Sequence, residues 1–272
     1  MTTPLGYATL ALYLLALALY VWALYDDLRW LGRMATASLV AGLVVHWLAL
    51  LERSRAVGNI PYQDLYGSMS LFGWLLAVTY VGVERIHRQR TVGPFILPFV
   101  ILLMGLATFL SPAAPPPPPP QARGSLFALH VTMSILAYSA FGLSFFLSLI
   151  YLLQNRLLRD RHLGRMFWRF PPLELLERMS RTSVSVGVGA LGVGMMLGFM
   201  WAHRIQGSFW NADPKEIASL FILALYLSYL WLGRTTAWRG ARASLLCVCN
   251  FVVVVFSYTI VNLFLSRYHR FF

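Results

Sequence analysis

Apolar runs of about twenty residues recur from one end of the chain to the other, and this recurrence constrains the fold more than any other feature. Eight are read, at roughly 5–25, 34–52, 66–83, 92–110, 126–154, 183–200, 217–233 and 243–265. In lipid, every backbone N–H and C=O must find a partner within the chain, and runs of this length meet that demand as helices. Hydrophobic residues make up 58% of the chain and charged residues 12%, with a mean hydropathy of +0.65. A soluble domain carries roughly twice that charge. The fold class is therefore all-α: a polytopic transmembrane helix bundle of about eight spans. It forms a single membrane domain over residues 1–272, with no sizeable soluble part. The first run does not read as a signal peptide, since no basic residue precedes its apolar core and no small-residue cleavage site follows.

The net charge of +12 would suggest nucleic acid in a soluble protein. In a membrane protein, basic residues gather in the loops that stay in the cytoplasm, and no nucleic-acid partner is needed. Of the 22 Lys and Arg residues, 15 fall in one set of alternate loops and 7 in the other. The first set is cytoplasmic, so both termini are extracytoplasmic. Residues 155–182 form a basic cytoplasmic segment, whose amphipathic stretch from about Asp160 to Arg181 is expected on the lipid surface. The Pro115–Pro120 run lies in an outer loop and favours a stiff polyproline II spacer. Cys247 and Cys249 are two apart in an apolar run, so on a helix they point to different faces and form no C-x-x-C thiol pair.

The most polar, least helix-like piece between two long apolar runs is the outer loop 201–216, which holds Trp201, His203, Arg204, Trp210, Asp213, Lys215 and Glu216. Four of the six histidines fall at or near this same face: His130 opens the fifth run, His269 follows the eighth, His203 is in the loop, and His46 lies about two turns inside the second run. His87 and His162 sit among cytoplasmic arginines and read as solvated or headgroup-level side chains. Neutral imidazole ligates iron, and indole offers a flat apolar face. Two histidines from separate helices beside a tryptophan loop can therefore hold haem by its axial positions. A membrane-edge histidine or tryptophan also serves as an interface anchor. On spacing alone, that plainer reading comes first for His130 and His269. Asp213, Pro214 and Glu216 also suit the start of a helix.

Several stretches, taken in order, carry a family resemblance. They are Gly58-Asn59-Ile60-Pro61-Tyr62-Gln63-Asp64-Leu65-Tyr66-Gly67-Ser68, Leu129-His130-Val131, Trp201-Ala202 with Gly207 and Trp210, Asp213-Pro214-Lys215-Glu216, Trp238-Arg239-Gly240, and Val261-Asn262-Leu263 followed by His269. Together they resemble the haem-handling cytochrome c assembly family of the CcsA/ResC type, related to CcmC and CcmF, over nearly the whole chain.

The resemblance implies a haem-binding protein of cytochrome c biogenesis in the bacterial inner membrane. Such a protein presents haem b on the outer face for thioether attachment to apocytochrome c, as the haem-presenting subunit of a cytochrome c synthase. It implies His130 and His269 as iron ligands, Trp201 and Trp210 against the porphyrin, and His46 holding haem within the membrane. Arg204 or Lys215 suits the propionates, because a cation beside a carboxylate is favourable away from water. A CcsB/ResB-like membrane subunit is implied as partner, because this chain has no large outer domain to dock apocytochrome. No residue reads as an acid–base or nucleophile pair. The chain departs from the family pattern at Gln206 and Ala212, where the family has further tryptophans, and at Trp231, where many members have a histidine. These departures leave room for a HemX-like haem-handling or regulatory protein without synthase activity. A transporter of an unrelated solute is a further alternative, because Gly187, Gly189, Gly192, Gly194 and Gly198 crowd the sixth run. Spaced small residues equally make a helix-packing surface.

Overall fold

The computed structural model describes residues 4–26, 28–58, 60–61, 64–110, 124–161, 170–210, 213–257 and 259. Among these are eight α-helices: α1 (Pro4–Asp26), α2 (Arg29–Val57), α3 (Leu65–His87), α4 (Gly93–Phe109), α5 (Ser125–Arg159), α6 (Leu173–Gln206), α7 (Pro214–Leu232) and α8 (Ala241–Phe256). Each apolar run holds one helix, and the end of the eighth run, 260–265, lies outside the described residues. Six are long and apolar enough to cross a membrane, and α4 and α8 are shorter apolar helices. The protein is a multi-pass helical membrane bundle.

Two of the expected boundaries are corrected. Trp201–Gln206 is helical and completes α6, so the outer loop begins at Gly207 rather than Trp201. The stretch Trp201-Ala-His-Arg-Ile-Gln contains no breaker, and its polarity reflects only its exit from lipid. The helix stops at Gly207, whose φ of 76° favours glycine and whose N–H bonds the His203 carbonyl. At the end expected in the cytoplasm, α5 runs on to Arg159 and α6 starts at Leu173. Leu173–Arg181 is thus the first part of a transmembrane helix rather than a separate surface segment. With 34 residues, α6 is about 51 Å long, against about 30 Å of hydrocarbon, so both its ends project into water.

The chain divides into two compact units: Met1–Pro117 with Arg156–Leu175, and Pro118–Asn155 with Leu176–Phe272. In the first unit α1 packs on α2 and α4, and α3 packs on α4. Buried polar groups are paired at three levels. At the end assigned to the cytoplasm, the Glu84 carboxylate accepts hydrogen bonds from Tyr20 and Thr36 and faces Arg90 at 3.5 Å. In the middle, His46 lies between Tyr13 and Ser70. At the outer end, Arg53 and Asp64 form a buried ion pair at 2.8 Å. A buried charge is tolerated only when paired in this way.

In the second unit, α5 and α6 are antiparallel: Gly194 and Gly198 lie against His130, Gly187 against Phe141, and Ser180 against Ser148. The core adds Ile222, Tyr226 and Tyr229 from α7 and Ala243, Cys247 and Val254 from α8. Phe141 and Tyr226 stack face to face at its centre, 3.7 Å between ring centroids. Cys247 is buried beside the Ser144 hydroxyl, and Cys249 is exposed, as expected of residues on different faces.

Candidate functional site

His130 lies one and a half turns into α5, half-buried at the end assigned to the outer face. Its Nδ1 is 2.7 Å from the Gly194 carbonyl oxygen of α6. A carbonyl has only lone pairs to offer, so Nδ1 carries the proton and donates. Nε2 is therefore the nitrogen with the free lone pair. A histidine that donates one ring N–H to a backbone carbonyl has its tautomer and orientation fixed, which is the arrangement that supports metal ligation by the other nitrogen. The ring lies directly over Gly198, where an added Cβ would meet His130 Cε1 at 2.7 Å and Nδ1 at 2.8 Å.

Aromatic rings line the approach to this imidazole. Phe127, one turn earlier on α5 and buried, has its ring centroid 6.0 Å from that of His130 and 4.7 Å from that of Trp201. Trp201 sits on the last turns of α6, so helix rather than loop positions it. Trp210 is exposed in the loop and packs edge-on against Phe199, 6.1 Å between centroids. His203 stacks on Phe209 at 4.0 Å, and Arg204 is exposed beside it.

Asp213 caps α7: its side chain accepts from the Lys215 N–H at 2.8 Å, and Pro214 fills the first helical position. The Asp-Pro-Lys-Glu stretch therefore starts a helix, and in doing so brings the Lys215 ammonium within electrostatic range of His130. The expected outer-face residues Trp201, Trp210, Arg204 and Lys215 thus lie at the same end of the second unit as His130. His269, the expected second ligand, lies outside the described residues, as does Val261-Asn262-Leu263.

His46 belongs to the first unit and is fully buried. Tyr13 Oη lies 3.0 Å from its Nδ1 and Ser70 Oγ 2.9 Å from its Nε2. Both ring nitrogens are engaged, so ligation would require one hydroxyl to withdraw.

Other stretches behind the resemblance form helix junctions. The Asp64 carboxylate accepts from the Gly67 N–H, starting α3, and from the Arg53 guanidinium. Gly240 opens α8 at φ 69°, donates its N–H to Glu177, and leaves no room for a Cβ beside the Tyr151 hydroxyl. Phe127, Gly194 and Gly198 were not anticipated as site residues. The signal was present in the spacing of 194 and 198, four apart and so on one helix face, but the pairing with α5 was needed to see that a histidine fills that face.

A similar fold and related sequences occur in known proteins. The chain is 29% identical to the cytochrome c biogenesis protein CcsA of Synechococcus sp. (strain CC9902), over 97% of this chain and 94% of the relative. It is 28% identical to the protein of the same description from Synechococcus sp. (strain CC9605), with the same coverage. It superposes on the solved structure of the cytochrome c haem lyase CcmF with a TM-score of 0.62 at 16% identity, covering 93% of this chain and 45% of that one, a likeness of fold. The family described as cytochrome C assembly protein matches residues 62–269, from just before α3 to His269, and the chain belongs to that family.

Proposed function

We propose that this chain holds haem b at the outer face of a bacterial cytoplasmic membrane and presents it for thioether attachment to apocytochrome c. It acts there as one membrane domain and as the haem-presenting subunit of a cytochrome c synthase. The observation that carries this reading is the hydrogen bond from His130 Nδ1 to the Gly194 carbonyl, which leaves Nε2 as a ready iron ligand beside Phe127 and Trp201.

His130 and His269 would hold the haem iron. Trp201 and Trp210 cover the apolar faces of the macrocycle, with indole rings suited to that contact. Lys215 and Arg204 neutralise the propionates. His46 is the ligand within the membrane, released for that role from Tyr13 or Ser70. Haem supplies vinyl groups and a redox-active iron when bound, and the apocytochrome supplies thiols. The chain's own contribution is to orient, to exclude water and to set the axial field. A CcsB/ResB-like membrane subunit supplies the docking surface for apocytochrome.

The test is an absorption spectrum of protein purified in detergent. The wild type is expected to show a Soret band that collapses in the His130→Ala, His269→Ala double variant. Undiminished haem content in that variant would refute the assignment of ligands.

A further inference from the structure

Four residues apart on α6, Gly194 and Gly198 both meet His130, the one through its carbonyl and the other through the space a Cβ would fill. The two act differently. Gly194 contributes its carbonyl, which accepts the Nδ1 proton at 2.7 Å. Gly198 contributes space: the imidazole rests where a side chain would stand, with Cε1 2.7 Å and Nδ1 2.8 Å from an ideal Cβ. Real Cβ contacts do not fall below about 3.0 Å, so an alanine there forces the ring to move. The ring has little freedom to yield. Rotation breaks the bond to Gly194, and the buried Phe127 ring lies close by, 6.0 Å between ring centroids. Gly189 and Gly192, on the same helix, have nothing within 4 Å of such a Cβ. Of the other α6 glycines, Gly187 lies against Phe141 and a Cβ on Gly194 would meet Ser134 and Met133, so only at Gly198 is the side-chain space taken by a histidine.

We infer that the Gly194–Gly198 notch is a positioning device that fixes His130 in the Nδ1–H tautomer with the Nε2 lone pair available, and thereby sets its strength as an iron ligand. A carbonyl accepting from the distal ring nitrogen makes the ligating nitrogen more basic and favours ferric over ferrous iron. This inference rests on the reading of His130 as a ligand and adds that its ligand strength depends on Gly198.

The experiment compares wild type with Gly198→Ala, Gly192→Ala and His130→Gly, all purified with haem. Gly198→Ala is expected to lose the low-spin spectrum of the wild type or to shift the midpoint potential, with added imidazole restoring the low-spin form. Gly192→Ala is expected to match wild type in both. His130→Gly identical to wild type refutes the ligand reading itself. If instead His130→Gly alters the spectrum while Gly198→Ala leaves spectrum and potential unchanged, only the positioning role is refuted. Should Gly198→Ala fail to fold, the haem-free wild type decides: histidine-labelled protein examined by solid-state nitrogen NMR is expected to show His130 protonated at Nδ1. Protonation at Nε2 would overturn the inference.

Discussion

At the scale of single residues, the two histidines of interest differ in what their second nitrogen does. His130 gives one nitrogen to a backbone carbonyl and keeps the other, whereas His46 has both nitrogens against hydroxyls. This difference was not legible in the sequence, where both were histidines near the outer face. It arises from partners 64 residues from His130, and 33 and 24 residues from His46, in the chain. Replacing Tyr13 with Phe removes one partner of a fully buried imidazole. It is expected to cost about 1–3 kcal/mol, read as a lowered midpoint of thermal unfolding in detergent. An unchanged midpoint would show that the Tyr13–His46 bond is not maintained. Arg53 is a second case. It lies buried against Asp64, so Arg53→Met leaves a carboxylate without its charge partner and is expected to cost about 3 kcal/mol by the same measurement. Asp64 also starts α3, so the loss should appear as earlier unfolding of the first unit.

At the scale of elements, the eight helices were legible because a run of about twenty apolar residues has one solution in lipid. Their ends were less so. Hydropathy marks where a helix leaves lipid, not where it stops, and α6 continues past both edges. Gly207 and Asp213 bound the true loop: one ends α6 in a left-handed conformation and the other caps α7. Asp213→Ala is expected to destabilise α7 by about 1 kcal/mol and, because the cap also places Lys215, to weaken haem retention. Fully retained haem would separate the cap from the site. Gly240→Ala combines an unfavourable φ with a clash at Tyr151, so a loss of more than about 1 kcal/mol in unfolding is expected there.

At the scale of the whole molecule, the chain is a member of the cytochrome c assembly family, and 15 of 22 basic residues in one set of alternate loops set the orientation expected of it. With Cys247 and Cys249 replaced, a cysteine at Ser208 should react with an impermeant maleimide in intact cells, and one at Thr236 only after permeabilisation. The reverse pattern would invert the protein and remove the outer-face site. The central claim is that His130, held by Gly194, ligates haem iron. Electron paramagnetic resonance of the purified ferric protein tests it most directly. Wild type is expected to give a low-spin bis-imidazole signal, His130→Gly a high-spin signal, and added imidazole a return of the low-spin signal. A low-spin signal that persists unaltered in His130→Gly would contradict it.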